Sequence, residues 1–332
     1  MHHHGPEPSR RQRLFRRRTM AFPTLPQPAP DEVLLVSTCF RDGAPLWGGL
    51  LNEIRGRREG DVLVVDGDVR LRLVEGPAWN SLHGGNVPAV VPDGGPAQQV
   101  AVLADTSVAY GGDGPLLIDL AGAPGRGVRV PPARLGEVLA AVTSGALTFD
   151  QLVRDMDVFG MYQGEGGRPA FPAPTAPPHR AFPALPATDA ALLVRTCFDD
   201  EDGWRALLAD LNGVDEEGWV GANLDPDEID VENHPLTARV VDDRAFEGLQ
   251  PGQVPALVPP EEHTTLVALA DTRTFAEAGS PLTVVDLYDT PGQPAVLPCD
   301  KVGSLACNLE IANMDFHEFV AQKDVEPWWE AS

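Results

Sequence analysis

No apolar run in this 332-residue chain approaches the roughly 20 residues that span a bilayer, so the sequence offers no transmembrane helix. There is no CxxC pair. The four cysteines, Cys39, Cys197, Cys299 and Cys307, are scattered in a way that fits no disulfide framework or zinc site. GxGxxG, the P-loop, GxSxG and HExxH are all missing, which removes the usual signatures of dinucleotide, phosphate, acyl-transfer and zinc-protease chemistry. No two histidines share metal-ligand spacing, so neither a metal nor a cofactor is expected. The basic arm Arg10-Arg-Gln-Arg-Leu-Phe-Arg-Arg-Arg18 is followed by no apolar segment and is not a secretory signal. Free thiols in a reducing cytoplasm are the expected setting.

What is present is a large, turn-rich, acidic chain. A hydrophobic fraction of 43% and a length of 332 residues suffice for two cored domains, and 33 Gly with 33 Pro point to long loops around them. The net charge of −24 is uneven: residues 179–332 hold 30 acidic and 8 basic side chains, whereas residues 1–20 hold six Arg and one Glu. Such a field disfavours nucleic acid and anionic membranes and would steer a basic protein toward the second half, or serve solubility alone. Residues 1–20 read as a disordered basic arm. A second Met at position 20 leaves open that the module starts there.

The chain repeats itself. Leu34-Leu-Val-Ser-Thr-Cys-Phe40 returns as Leu192-Leu-Val-Arg-Thr-Cys-Phe198, Val87-Pro-Ala-Val-Val-Pro92 as Val254-Pro-Ala-Leu-Val-Pro259, and Leu103-Ala-Asp-Thr106 as Leu269-Ala-Asp-Thr272. Asp119-Leu120 and Asp286-Leu287 correspond, as do Trp47 and Trp204. Blocks in the same order at this spacing describe a tandem pair rather than a solenoid. The copies are placed at 21–162 and 182–332, joined by a Pro/Gly-rich linker at 163–181 that includes Pro172, Pro174, Pro177 and Pro178.

In each copy, apolar runs of strand length alternate with helical patterns, which predicts an α/β (or α+β) domain with a mixed sheet flanked by helices. Val62-Leu-Val-Val65 is an extra strand with no evident match in the second copy.

The densest run of specific residues is Asn308-Leu-Glu-Ile-Ala-Asn-Met-Asp-Phe-His-Glu-Phe319, with a faded counterpart at Ala141-Val-Thr-Ser-Gly-Ala-Leu-Thr-Phe-Asp-Gln-Leu152. Asp315-Phe-His-Glu318 and Thr148-Phe-Asp-Gln151 have the capping-box pattern, and Phe316, Phe319 and Val320 form a core stripe. Asn308 and Asn313 lack such an account; they fasten a loop or bind a ligand. Asp271 and Asp286, matched by Asp105 and Asp119, follow strands, where α/β sites gather, but Asp also caps helices and starts turns. His317 is expected on a solvent face and His234 and His263 in loops. Cys39 and Cys197 read as buried thiols, with no histidine placed beside them by local sequence. From Asp199 to Glu232 the chain holds 13 acids and one Arg, including Asp225-Pro-Asp-Glu-Ile-Asp-Val-Glu232, a carboxylate run without the Gly of a calcium loop.

On Leu192–Phe198 and Asn308–Phe319 the chain resembles an uncharacterised bacterial domain family, the domain of unknown function numbered six-nine-two-four. The family tends to have Asp where Cys197 stands, and a Phe-rich tail that is better kept at Asp157-Val-Phe-Gly-Met-Tyr162 than at Val325-Glu-Pro-Trp-Trp329. The resemblance implies the domain and no activity. The expected function is a non-enzymatic, immunity-like binding protein whose acidic second copy engages a basic partner. The alternatives are an enzyme with a site at Asp271, Asp286, Asn308 and Asn313, and a pseudo-dimer whose first copy covers a dimerisation face.

Overall fold

In the computed structural model of the chain, residues 22–92, 98–111, 113–164, 181–221, 235–260 and 263–320 are described. The basic arm, most of the linker, the Asp225–Glu232 run, His234 and the Val325–Trp329 tail lie outside the described residues.

Each copy is organised by one strand without a polar face. All six residues of β1 (Glu32–Ser37) are buried, as a strand covered on both sides must be. Val33 and Leu35 join a cluster with Trp47, Leu139 and Phe149. Leu34 and Val36 join another, with Leu25, Leu82 and Val87, so the period-2 alternation of one strand seeds both layers. Each fully buried aliphatic side chain contributes about 1.5–3 kcal/mol.

β1 pairs in parallel with β6 (Arg70–Val74) and β7 (Val100–Ala104). Antiparallel strands complete the sheet: β4 (Arg57–Glu59), β5 (Val62–Val64), β8 (Leu116–Asp119) and β9 (Gly127–Arg129), in the order β4-β5-β6-β1-β7-β8-β9. The hairpin of β2 (Phe40–Arg41) and β3 (Ala44–Pro45) stands outside it, turning on Asp42 and Gly43, both at positive φ. Parallel neighbours need crossovers. The first carries α1 (Gly48–Ile54) over one face; the second carries tight turns and α2 (Val87–Val90) over the other. The chain therefore reverses its direction of winding at β1, and the carboxyl ends of β1 and β7 flank the crevice this creates. Two helices, α3 (Leu135–Thr143) and α4 (Phe149–Arg154), close the first layer.

The second copy repeats the plan with β10 (Ala191–Arg195), α5 (Glu201–Asp210), β11 (Trp219–Val220), β12 (Ala238–Val241), β13 (Val267–Ala270), α6 (Thr272–Ala276), β14 (Leu282–Val285), β15 (Pro294–Leu297), α7 (Cys299–Glu310) and α8 (Phe316–Val320). Its order is β11-β12-β10-β13-β14-β15, with β10 parallel to both neighbours. This corrects one expectation. The strand at Val62–Val64 does have a counterpart, β11, which runs antiparallel to β12 as β5 does to β6. The acidic insertion between β11 and β12 replaces the short β5–β6 connection and hides the match.

The copies also differ at their closing helices. Thr148 caps α4 with a complete box: its hydroxyl accepts from Gln151 N, and Gln151 Oε1 accepts from Thr148 N at 2.8 Å. At α8 the expected box is only half made: the Glu318 carboxylate accepts from Asp315 N at 2.9 Å, but the Glu318 N–H goes to the Asp315 backbone oxygen at 3.1 Å, and the Phe316 N–H is taken by Asp289, at 2.8 Å, from another loop. Phe316 and Phe319 are buried as the stripe requires.

The two copies dock on backbone oxygens. Gly127 N donates to Pro291 O at 2.8 Å, and Gln293 Nε2 to Val158 O at 2.9 Å. A Cβ on Gly127 would stand 2.8 Å from Pro291 Cδ, so the β9 edge admits this loop only where a side chain is missing. Among the described residues, no helix is long and apolar enough to cross a membrane.

Candidate functional site

The crevice at the carboxyl ends of β1 and β7 is a pocket of about 330 Å³. Its floor is Thr38 and Cys39 after β1 and Asp105, Thr106 and Ser107 after β7. One wall is the turn Asn80–Gly84, tied down where Ser81 N donates to Thr38 O at 2.8 Å. The far wall comes from the second copy: Tyr288 and Asp289, on the β14–β15 loop, close the pocket of the first.

That loop is rigid for a local reason. Asp286, buried at the end of β14, accepts from three successive backbone N–H groups: Tyr288 at 2.8 Å, Asp289 at 3.2 Å and Thr290 at 2.7 Å. Asp119 holds the equivalent loop through Ala121, Gly122 and Ala123. The tips differ, however. Where the first copy has Ala121 and Gly122, the second projects Tyr288 and Asp289.

Electrostatics divide the pocket. Asp105 is neutralised by Arg129, a buried guanidinium 2.8 Å away, which also donates to Asp289 O at 2.8 Å. Burial tends to lower the Arg129 pKa, but Asp105 outweighs it and holds the guanidinium above its usual value. His83 is pushed down to about 3, first by burial and then by repulsion from His263. Its ring stands edge-on to Tyr288, with centroids 4.4 Å apart, and Tyr288 OH donates to Thr264 O. Asp289 is pushed up to about 8, by burial and then by its neighbours Asp286 and Asp315. Burial raises Asp286 too, against the pull of its three donors.

Among the residues singled out from sequence, Asp271 caps α6 in a full box, accepting from Arg273 N and Thr274 N and from the Thr283 hydroxyl at 2.6 Å. Asn308 Nδ2 donates to Ser304 O and its Oδ1 accepts from Asn313 Nδ2, both at 2.8 Å, which fastens the end of α7. Asp286 alone of the four bears on the pocket, by shaping the loop that closes it. His317 is not on a free solvent face: it is half-buried, with its ring 5.4 Å from that of Phe159. All four cysteines are free, and burial pushes Cys299 up to about 11, away from reactivity.

Sequence reasoning passed over His83, Asn80 and Tyr288, and Tyr110, which also lines the pocket. The accessible signal was Asp105 together with Cys39, two residues ending neighbouring parallel strands. Residues 32–165 and again 190–329 match one family model, described as a domain of unknown function. No curated protein matches the chain.

Proposed function

Since the chain belongs to the DUF6924 family, in two tandem copies, we propose that it is a non-enzymatic binding module whose site is the pocket shared between the copies. The observation that carries this is the seating of Tyr288 and Asp289 of one copy over the strand-end crevice of the other. Open sheets bind ligands in that crevice. The lining suits a small polar molecule: hydroxyls, an amide and an imidazole face it, and its buried carboxylate already has a partner in Arg129.

Catalysis is disfavoured by the same groups. Cys39 and His83 line one pocket, but an imidazole pushed down to about 3 is a poor base for a thiol at neutral pH. An enzyme built on Asp271, Asp286, Asn308 and Asn313 is disfavoured because each of these side chains is engaged in capping, turn or fastening bonds.

Thermal-shift and calorimetric screening of the full chain against small polar metabolites tests the proposal. A ligand that stabilises the chain should lose at least about tenfold in affinity on Thr106→Trp, which fills the pocket from its exposed rim. Undiminished binding to that variant, or turnover of any ligand found, overturns it.

A second reading rests on charge: the −22 net charge of residues 179–332 favours a basic protein partner for the second copy. Retention of such a partner at low salt and its release by salt would support that reading; a partner held equally at high salt would count against it. A pseudo-dimer, with the first copy occupying a dimerisation face, is favoured by the backbone docking at Gly127 and Pro291. Size-exclusion chromatography should then show a monomer.

A further inference from the structure

The two copies treat one position oppositely. In the first, the Arg126 guanidinium bridges Asp119 at 3.0 Å and Asp150 at 2.6 Å. The second copy replaces Arg126 by Gln293, whose amide turns away to Val158 O. Around the vacated position three other residues change as well: Gly122 becomes Asp289, Thr148 becomes Asp315, and Asp150 becomes His317. The built-in cation is lost and three metal-ligand side chains are gained. One donor atom from each of Asp289, Asp315 and His317 lies within 4.8 Å of the other two.

We propose that Asp289, Asp315 and His317 bind a divalent transition-metal ion in the second copy, in the role that the Arg126 guanidinium has in the first. Two carboxylates and one imidazole make a mixed oxygen–nitrogen set suited to Mn²⁺ or Zn²⁺, with positions left for water or a ligand. The donors are available. Among the described residues, the Asp315 carboxylate and the His317 imidazole accept no hydrogen bond, and Asp289 accepts one, from Phe316 N. The site is held from two elements: the Asp286-braced loop supplies Asp289, and α8 supplies His317 in its first turn and Asp315 directly before it. Asp289 also lines the pocket, so the ion would adjoin it, although the metal site does not depend on any pocket ligand.

Mn²⁺ binding to the chelator-stripped full chain, measured by calorimetry and by electron paramagnetic resonance, tests the proposal. The His2–His4 run is common to every variant, so any ion it holds cancels in the comparison. Wild type should take up one ion that His317→Ala and Asp315→Asn bind at least about tenfold more weakly. Gln293→Arg, which restores the cation of the first copy, should abolish that ion while the protein stays folded by circular dichroism. Equal uptake by wild type and these folded variants, or no uptake by wild type, overturns the assignment.

Discussion

Asp119 and Asp286 hold the same loop in the same way, yet Asp119 is bridged by the Arg126 guanidinium, while Gln293, at the matching position, turns its amide away to Val158 O. The difference shows what duplication permits. Once one copy carries a buried carboxylate with its cation built in, the other is free to lose that cation and use the loop tip for something else. In the first copy the tip is Ala121-Gly122, without a functional side chain; in the second it is Tyr288-Asp289 and forms the wall of its neighbour's pocket. The fold is shared, and the divergence is concentrated in a few polar positions.

Removing the charge that serves both copies should break this comparison most severely. Arg129→Ala leaves Asp105 without its partner and cuts the bond to Asp289 O, and should cost about 3–5 kcal/mol in chemical denaturation. Making the first copy resemble the second is the next test. Arg126→Gln strips the cation from Asp119 and should cost about 2–3 kcal/mol, whereas Gln293→Arg should cost nothing or stabilise.

The pocket supplies a pH test. His83 has its folded pKa below its unfolded value of about 6.5, so the unfolded chain binds its proton more tightly. Stability from this residue is complete above about 6.5 and is lost as pH falls toward about 3. The difference between wild type and His83→Asn should therefore shift across that window, with wild type losing ground in acid.

The smallest effects belong to the closing helices. Thr148→Ala should cost about 1 kcal/mol by breaking a complete capping box. Asn313→Ala should cost about 0.5–1 kcal/mol through its bond to Asn308, leaving pocket binding untouched. A loss of ligand binding in Asn313→Ala would mean that the Asn pair acts on the pocket.

The architecture was largely legible in the sequence. Buried strands with an apolar centre, such as Glu32–Ser37 and Ala191–Arg195, announce themselves through composition, and the repeated blocks reveal the duplication. Strand order was not legible, because parallel pairing of β1 with both β6 and β7 is decided by crossovers whose faces no local pattern encodes. The capping roles of Thr148 and Asp271 follow from spacing rules, so they were within reach. The pocket was not. His83 and Tyr288 belong to different copies and meet only when the copies dock, and nothing in either neighbourhood marks them as partners. The metal-ligand set shares this difficulty: Asp315 and His317 are two positions apart in sequence, but Asp289 arrives from a loop on the far side of β15 and α7.

The seating of Pro291 against Gly127 has a consequence for the order of events in the cell. Synthesis delivers the first sheet well before residue 286 exists, so the pocket stands open through translation of the second copy and its folding. It closes when the finished loop reaches the bare edge of β9. Closure thus reports that synthesis has passed the β14–β15 loop, and a chain truncated anywhere before that loop would carry the floor of the pocket and one of its walls without its lid.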